Sequence, residues 1–193
     1  MVFESTAFDL IERSRQGDRD AFTHLFEKYK QRLAVLIYYK LPPEGRDVKA
    51  VAEILQKTFH TSFEYFPYVQ LHESGSCLAW LSRVADHVVI STARRHNRQK
   101  RRAASMHSSG NSDHDDRDET TLPARRILID RVELAEWTDK LDAIPVQERQ
   151  LILMARIEGL STVEIAERLN QPNEAVADLL HQAIQCFRGP PED

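Results

Sequence analysis

Six cations fall within nine residues at Arg94, Arg95, Arg98, Lys100, Arg101 and Arg102, and no carboxylate interrupts them. A run of this density neutralises phosphates and gives nucleic-acid affinity that depends on salt but not on base sequence. The competing use is a solvated helix end, which the helix macrodipole favours. Absence of opposing acidic residues favours the phosphate reading. Just upstream, Phe59, Phe63, Tyr65, Phe66, Tyr68 and Trp80 concentrate six aromatic rings. Unpaired bases gain roughly 1–3 kcal/mol each by stacking on such rings, and an extruded base needs a pocket to offset its unstacking. Most of these rings are expected in the core, Phe59 and Trp80 above all.

Helices must position these groups. Phe22, Leu25, Phe26, Tyr29, Leu33, Leu36 and Ile37 recur at steps of three and four, so they share one helical face. Asp18 or Asp20 can cap that helix, and Pro42-Pro43 ends it. A second stripe runs through Val48, Val51, Ala52, Leu55, Phe59 and Phe63 to the Phe66-Pro67 boundary. A third helix extends from about Leu78 through Leu81, Val84, Ala85 and Val88 into the arginines, and a short leading helix covers Asp9 to Ser14. From Ala103 to about Leu122 the chain is polar and turn-rich with almost nothing to bury, which predicts a flexible linker. His107 and His114 lie there beside Asp113, Asp115 and Asp116, a set read as a solvated tract and not a metal site. Beyond it come four shorter amphipathic stretches. Ser161-Thr162-Val163-Glu164 has the form of a capping box, Asn170-Gln171-Pro172-Asn173 breaks the chain, and Glu174 to Phe187 resumes as helix. Two helices across so short a break predict a helix-turn-helix.

The expected architecture is therefore all-α, with two small helical domains at 1–102 and 127–193 joined by a flexible linker at 103–126. Their charges differ. Residues 1–102 carry a formal charge of +5 and residues 103–193 one of −9, a contrast that the net −4 conceals. The N-terminus lacks the basic start and apolar core of a signal peptide, and no run approaches the ~18 apolar residues of a membrane span. A cytoplasmic protein with no membrane partner is expected. Cys77 and Cys186 have no C-x-x-C partner, so both are read as buried thiols, outside any metal site or disulfide framework. No Gly-rich phosphate loop, H-E-x-x-H or nucleophile elbow is present, which argues against an enzyme and implies no cofactor.

Several segments together resemble the extracytoplasmic-function (ECF) group of the sigma-70 superfamily, in that family's order. Gly17-Asp18-x-x-Ala21-Phe22-x-x-Leu25-Phe26-x-x-Tyr29-x-x-x-Leu33 looks like the start of its region 2. Val51-Ala52-Glu53-Ile54-Leu55-Gln56-Lys57-Thr58-Phe59 is similar to its polymerase-docking helix, and Trp80-Leu81-Ser82-Arg83-Val84-Ala85 with Arg94-Arg95 to its W-L-x-R-I-A and basic tail. Leu141-Asp142-Ala143-Ile144-Pro145-x-x-Glu148-Arg149 and Glu158-Gly159-Leu160-Ser161-x-x-Glu164-Ile165-Ala166-x-x-Leu169 resemble region 4.

The resemblance implies a sigma factor that binds core RNA polymerase and directs initiation at promoter DNA, with an anti-sigma protein as a further partner. Glu53, Gln56 and Lys57 would dock on the polymerase, Glu53 standing where the family usually has Asp. Tyr65, Tyr68 and the loop from Val69 to Ser76 would meet the minus-ten element, where family members capture a flipped base. His87 stands at a position commonly Asn, and the cations from Arg94 to Arg102 would contact phosphates. The second helix of region 4 departs from the family. Its usual cations are missing from Ala175-Val176-Ala177-Asp178-Leu179-Leu180-His181-Gln182-Ala183, and Asp178 would repel phosphate. Two readings stay open. In one, the domain binds polymerase and reads upstream DNA weakly through Asn173, His181 and Gln182. In the other, Leu179, Leu180 and Ile184 form a protein-binding face, as in a sigma-like adaptor or a helix-turn-helix regulator acting through protein contacts.

Overall fold

The computed structural model describes residues 7–69, 74–105 and 128–188. Among them are eight α-helices and no strand, as the apolar spacing predicts. Asp18 starts the longest early helix. Its carboxylate accepts from the Ala21 amide at 2.9 Å, while Arg13 donates to it at 2.6 and 3.0 Å. Those bonds tie α1 (Ala7–Arg15) to α2 (Arg19–Lys40) across Gly17, whose φ of +86° suits only a residue without a side chain. Asp47 caps α3 (Val48–Tyr65) by accepting from Ala50, and Pro67 lies in the 3-10 turn Phe66–Tyr68 that follows.

α4 (Ser74–Ser105) begins four residues before the predicted start. It takes Ser74 to Ser76 out of the supposed base-capturing loop, and residues 70–73 lie outside the described residues. The predicted linker is likewise outside them from residue 106 to its end at residue 126, while α4 covers Ala103 to Ser105.

The first four helices close around a ring cluster. Phe22 packs 5.1–6.2 Å, centroid to centroid, from Phe26, Phe59, Phe63 and Phe66, and Trp80 meets Phe66 edge-on at 5.5 Å. Phe59 is buried, as expected, whereas Trp80 is only partly so. Ring pairs of this kind add about 0.5–1.5 kcal/mol beyond their buried area.

The second half starts at Asp130, which caps α5 (Arg131–Asp142) by accepting from Val132 and Glu133. α6 (Val146–Ile152) runs into a π-helical turn, Leu153–Ile157. The capping box opens α7 (Thr162–Leu169): Glu164 Oε2 accepts from the Ser161 amide at 2.8 Å, and Ser161 Oγ accepts from the Glu164 amide at 3.3 Å. Asn170 ends the helix in the left-handed conformation at φ 51°, and α8 (Asn173–Arg188) follows. Val176 and Ala183 of α8 are buried, and Trp137 of α5 stacks on Phe187 at 5.7 Å.

The halves touch. α2 packs against α5 and the π-helical turn, and the buried apolar residues of both halves form one connected cluster. Polar bonds cross the boundary from the C-terminal part of α2. Gln31 Nε2 donates to the Asp130 carbonyl at 3.1 Å. The Tyr39 hydroxyl lies 3.1 Å from the Thr138 carbonyl and 3.0 Å from Asp142 Oδ1. Lys40 Nζ stands 3.4 Å from Glu158 Oε1. Burial first, and the Asp142 carboxylate next, raise the Tyr39 phenol far above its ordinary range.

Candidate polymerase and nucleic-acid interface

α3 is two-faced. Val51, Ile54, Leu55, Thr58, Phe59 and Ser62 are buried against the other helices, while Glu53 and Lys57 are exposed and Gln56 lies at the margin. Spacings of three and four put Glu53, Gln56, Lys57 and His60 on one strip of the helix. His60 joins this strip through its ring Nε2, which lies 3.0 Å from Gln56 Nε2. With the ring proton on Nδ1 the Gln56 amide donates to it, which fixes the amide's direction. Burial, and then the nearby Arg19 charge, lower the His60 pKa and favour this neutral ring. His60 was not among the residues singled out from sequence, although its i+4 relation to Gln56 was visible there.

At the end of α3 the backbone turns tightly, burying Phe66 and pushing its neighbours outward. Tyr65 is 55% and Tyr68 84% exposed, so two rings stand in solvent beside a filled aromatic core. Rings held this way are free to stack on a base.

α4 carries the cations. Arg83, His87, Ile90, Arg94, Arg98 and Arg101 follow one another at steps of three and four, forming one exposed stripe. From His87 to Arg101 the stripe is about 21 Å long, or roughly six base pairs of duplex. Past Val89 no described side chain of α4 is buried, so the arginines stand on a helix that has left the core. Arg94, Asn97, Arg98 and Arg101 border a shallow depression there. Arg95 is exposed too, and the side chains of Lys100 and Arg102 lie outside the described residues.

α8 presents the opposite chemistry. Asn173, Ala175, Asp178, Leu179, His181, Gln182 and Gln185 are exposed, Leu180 and Ile184 half-buried. No Lys or Arg occurs from Asn173 to Phe187. Asp178 shares a face with Gln182 at i+4 and with His181 at i+3, so a carboxylate sits among the candidate base-reading groups. Cys77 is buried, its thiol pushed up to about 12 by desolvation. Cys186 is exposed on α8, which corrects the reading of both thiols as buried: its position falls beside the inward row of Val176 and Ala183, not on it.

The described residues thus form a helical N-terminal unit with a two-faced α3 and a basic exit, followed by a capped helix-turn-helix. The sequence matches the ECF sigma factor family over residues 4–185, and the chain belongs to that family. It is an RNA polymerase sigma factor, whose partners are core RNA polymerase and promoter DNA. It is similar to the ECF RNA polymerase sigma factor SigW of Bacillus subtilis (strain 168), at 25% identity over 187 residues covering 92% of each chain. It is also similar to the ECF RNA polymerase sigma factor SigK of Mycobacterium sp. (strain JLS), at 23% over 189 residues covering 97% of this chain and 92% of the other. Among solved structures, CnrH in complex with the cytosolic domain of CnrY aligns over 96% of both chains at 18% identity and a TM-score of 0.46. The RsbN-BldN complex aligns over 93% of this chain and 98% of the other at 17% and 0.35.

Proposed function

We propose that the Glu53, Gln56 and Lys57 strip of α3 is the polymerase-docking surface of this sigma factor. The observation that carries this is the two-faced character of α3: its inner face is fully used by the core, leaving a polar outer row with Gln56 oriented by His60. A carboxylate and an amide set this way pair with Arg or Asn on a partner helix. Tyr65, Tyr68 and His87 then meet the minus-ten element, and Arg94, Arg95, Arg98, Lys100, Arg101 and Arg102 contact its phosphates. Residues 1–102 act as the docking and promoter-opening domain, 103–126 as the linker, and 127–193 as a domain that keeps polymerase binding with weak upstream reading by Asn173, His181 and Gln182. The protein works in the cytoplasm, consistent with the absence of a helix long and apolar enough to cross a membrane among the described residues. An anti-sigma protein completes the same reading.

The test is co-elution with sigma-free core RNA polymerase on size exclusion. Wild type should co-elute, and a Glu53→Arg, Gln56→Ala variant should bind at least about 30-fold more weakly, the cost of breaking a desolvated charge-assisted contact. Equal co-elution of both would overturn the assignment of the surface. Failure of folded wild type to bind would favour the adaptor reading.

A further inference from the structure

We propose that Ile90 of α4 is a specificity-determining residue, which reads the methyl group of a thymine in the major groove of the duplex that borders the melted promoter element.

Ile90 is 50% exposed and is the apolar member of the stripe otherwise made by Arg83, His87, Arg94, Arg98 and Arg101. At about 100° per residue it lies about 20° from Arg83 and about 40° from Arg94 around the helix axis, in the middle of the stripe. Trp80, edge-on to Phe66 at 5.5 Å, anchors the first turns of α4 against the turn that bears the exposed Tyr68. Ile90 is about 15 Å further along the helix, and Arg94 about 6 Å beyond that, less than two base-pair steps. The assignment rests on the phosphate contacts proposed above: a helix whose Arg94, Arg98 and Arg101 lie along duplex carries Ile90 onto the same surface. Single apolar side chains are common on protein surfaces and need no partner; the place of Ile90 among the cations is what gives it one.

A protein partner fits this position poorly. Apolar docking surfaces are contiguous, whereas the neighbours of Ile90 at three and four residues are exposed His87 and Arg94, Asp86, which is held by Lys40, and Ala93 with its single methyl. The other large exposed apolar side chains stand on α1, at the end of α3 and the turn after it, and in the second half. α4 is also shaped for a groove. A helix about 10–12 Å across matches a major groove about 12 Å wide, and past Val89 none of its described side chains is buried against the rest of the molecule.

The chemistry of the groove then names the base. Ile90 has neither a donor nor an acceptor, and the Ser91 hydroxyl beside it donates to the Val88 carbonyl at 3.0 Å. Of the groups that base pairs display in the major groove, the thymine methyl is the apolar one. A thymine opposite Ile90 buries that methyl against the branched side chain. Cytosine offers no methyl, and its amino group loses water there without gaining a bond.

The test uses holoenzyme assembled from the full-length factor and core polymerase, with two pools of randomised duplex, one built with thymine and the other with uracil, which lacks only the methyl. Wild type should enrich thymine at one fixed position from the first pool and lose that enrichment in the second. Ile90→Ala should lose the same position in both, and Ile90→Val, which keeps both γ carbons, should retain it. Alanine favours helix at an exposed site, so the variant keeps its fold. On a single selected duplex, replacing that thymine by uracil should weaken wild type about fourfold, the equivalent of one buried methyl group, and leave Ile90→Ala unaffected. The salt slope of Ile90→Ala should equal that of wild type, since no phosphate contact is lost. Absence of such a position, enrichment that survives in uracil, or enrichment that Ile90→Ala retains would overturn the assignment while leaving the phosphate contacts intact. A holoenzyme that selects no sequence from either pool would remove the promoter reading of α4 and this assignment together.

Discussion

α4 and α8 are both amphipathic helices with an exposed outer face, yet one ends in arginines and the other carries Asp178 and no cation from Asn173 to Phe187. The contrast separates what folds a helix-turn-helix from what makes it bind DNA. α7 and α8 are held by the Ser161–Glu164 box, the left-handed Asn170 and the buried Val176 and Ala183. None of these groups reads a base. The fold therefore persists when the outer residues change, and the outer residues alone set whether phosphate is attracted or repelled. In α4 the roles are divided along the helix, since burial stops at Val89 and the dense run of cations begins at Arg94.

The largest effect should come from removing the charged side of this comparison. Arg94→Ala, Arg98→Ala and Arg101→Ala together should lower promoter affinity of the polymerase-bound factor about 10²-fold near 0.15 M salt. They should flatten the log–log salt slope by about 2.7, the sum expected for three phosphate contacts. Filter binding across a salt series reads both numbers, and an unchanged slope would mean the stripe is only a solvated helix end. A smaller change should follow from making α8 resemble α4. Asp178→Ser with Leu179→Arg should strengthen upstream duplex binding about fivefold to tenfold, the effect of one added phosphate contact and one repulsion removed. No gain in an electrophoretic shift assay would favour the protein-binding face instead. The smallest effect concerns the scaffold. Ser161→Ala should cost about 1 kcal/mol of stability by removing the cap, visible as a lower urea midpoint. It should leave core polymerase binding unchanged in the size-exclusion assay.

Much of the fold was legible because helices advertise themselves by spacing. Phe22, Leu25 and Phe26 declared the inner face of α2, and Ser161 with Glu164 declared the start of α7. Of the candidate site, the placement of its residues was legible where it depended on the same periodicity: Glu53, Gln56 and Lys57 fall on the polar strip because the apolar row is elsewhere. Contacts between residues remote in sequence left no such trace. Tyr39 and Asp142 are 103 residues apart, and nothing in the local pattern around either marks the other as its partner. His60 was hidden for a different reason, because a lone histidine at a helix margin looks the same whether or not an amide turns toward it. The π-helical turn Leu153–Ile157 inserts its irregularity inside an apolar run, where a period of 3.6 and a slight departure from it cannot be told apart over five residues.

The two tryptophans of the chain are divided between its halves, Trp80 edge-on to Phe66 and Trp137 stacked on Phe187. Each indole thus has an aromatic neighbour drawn from its own half. Emission from a variant retaining only one of them would follow the melting of that half alone. The molecule consequently carries a pair of native optical probes, able to report whether its two ends unfold as one cooperative unit or in sequence.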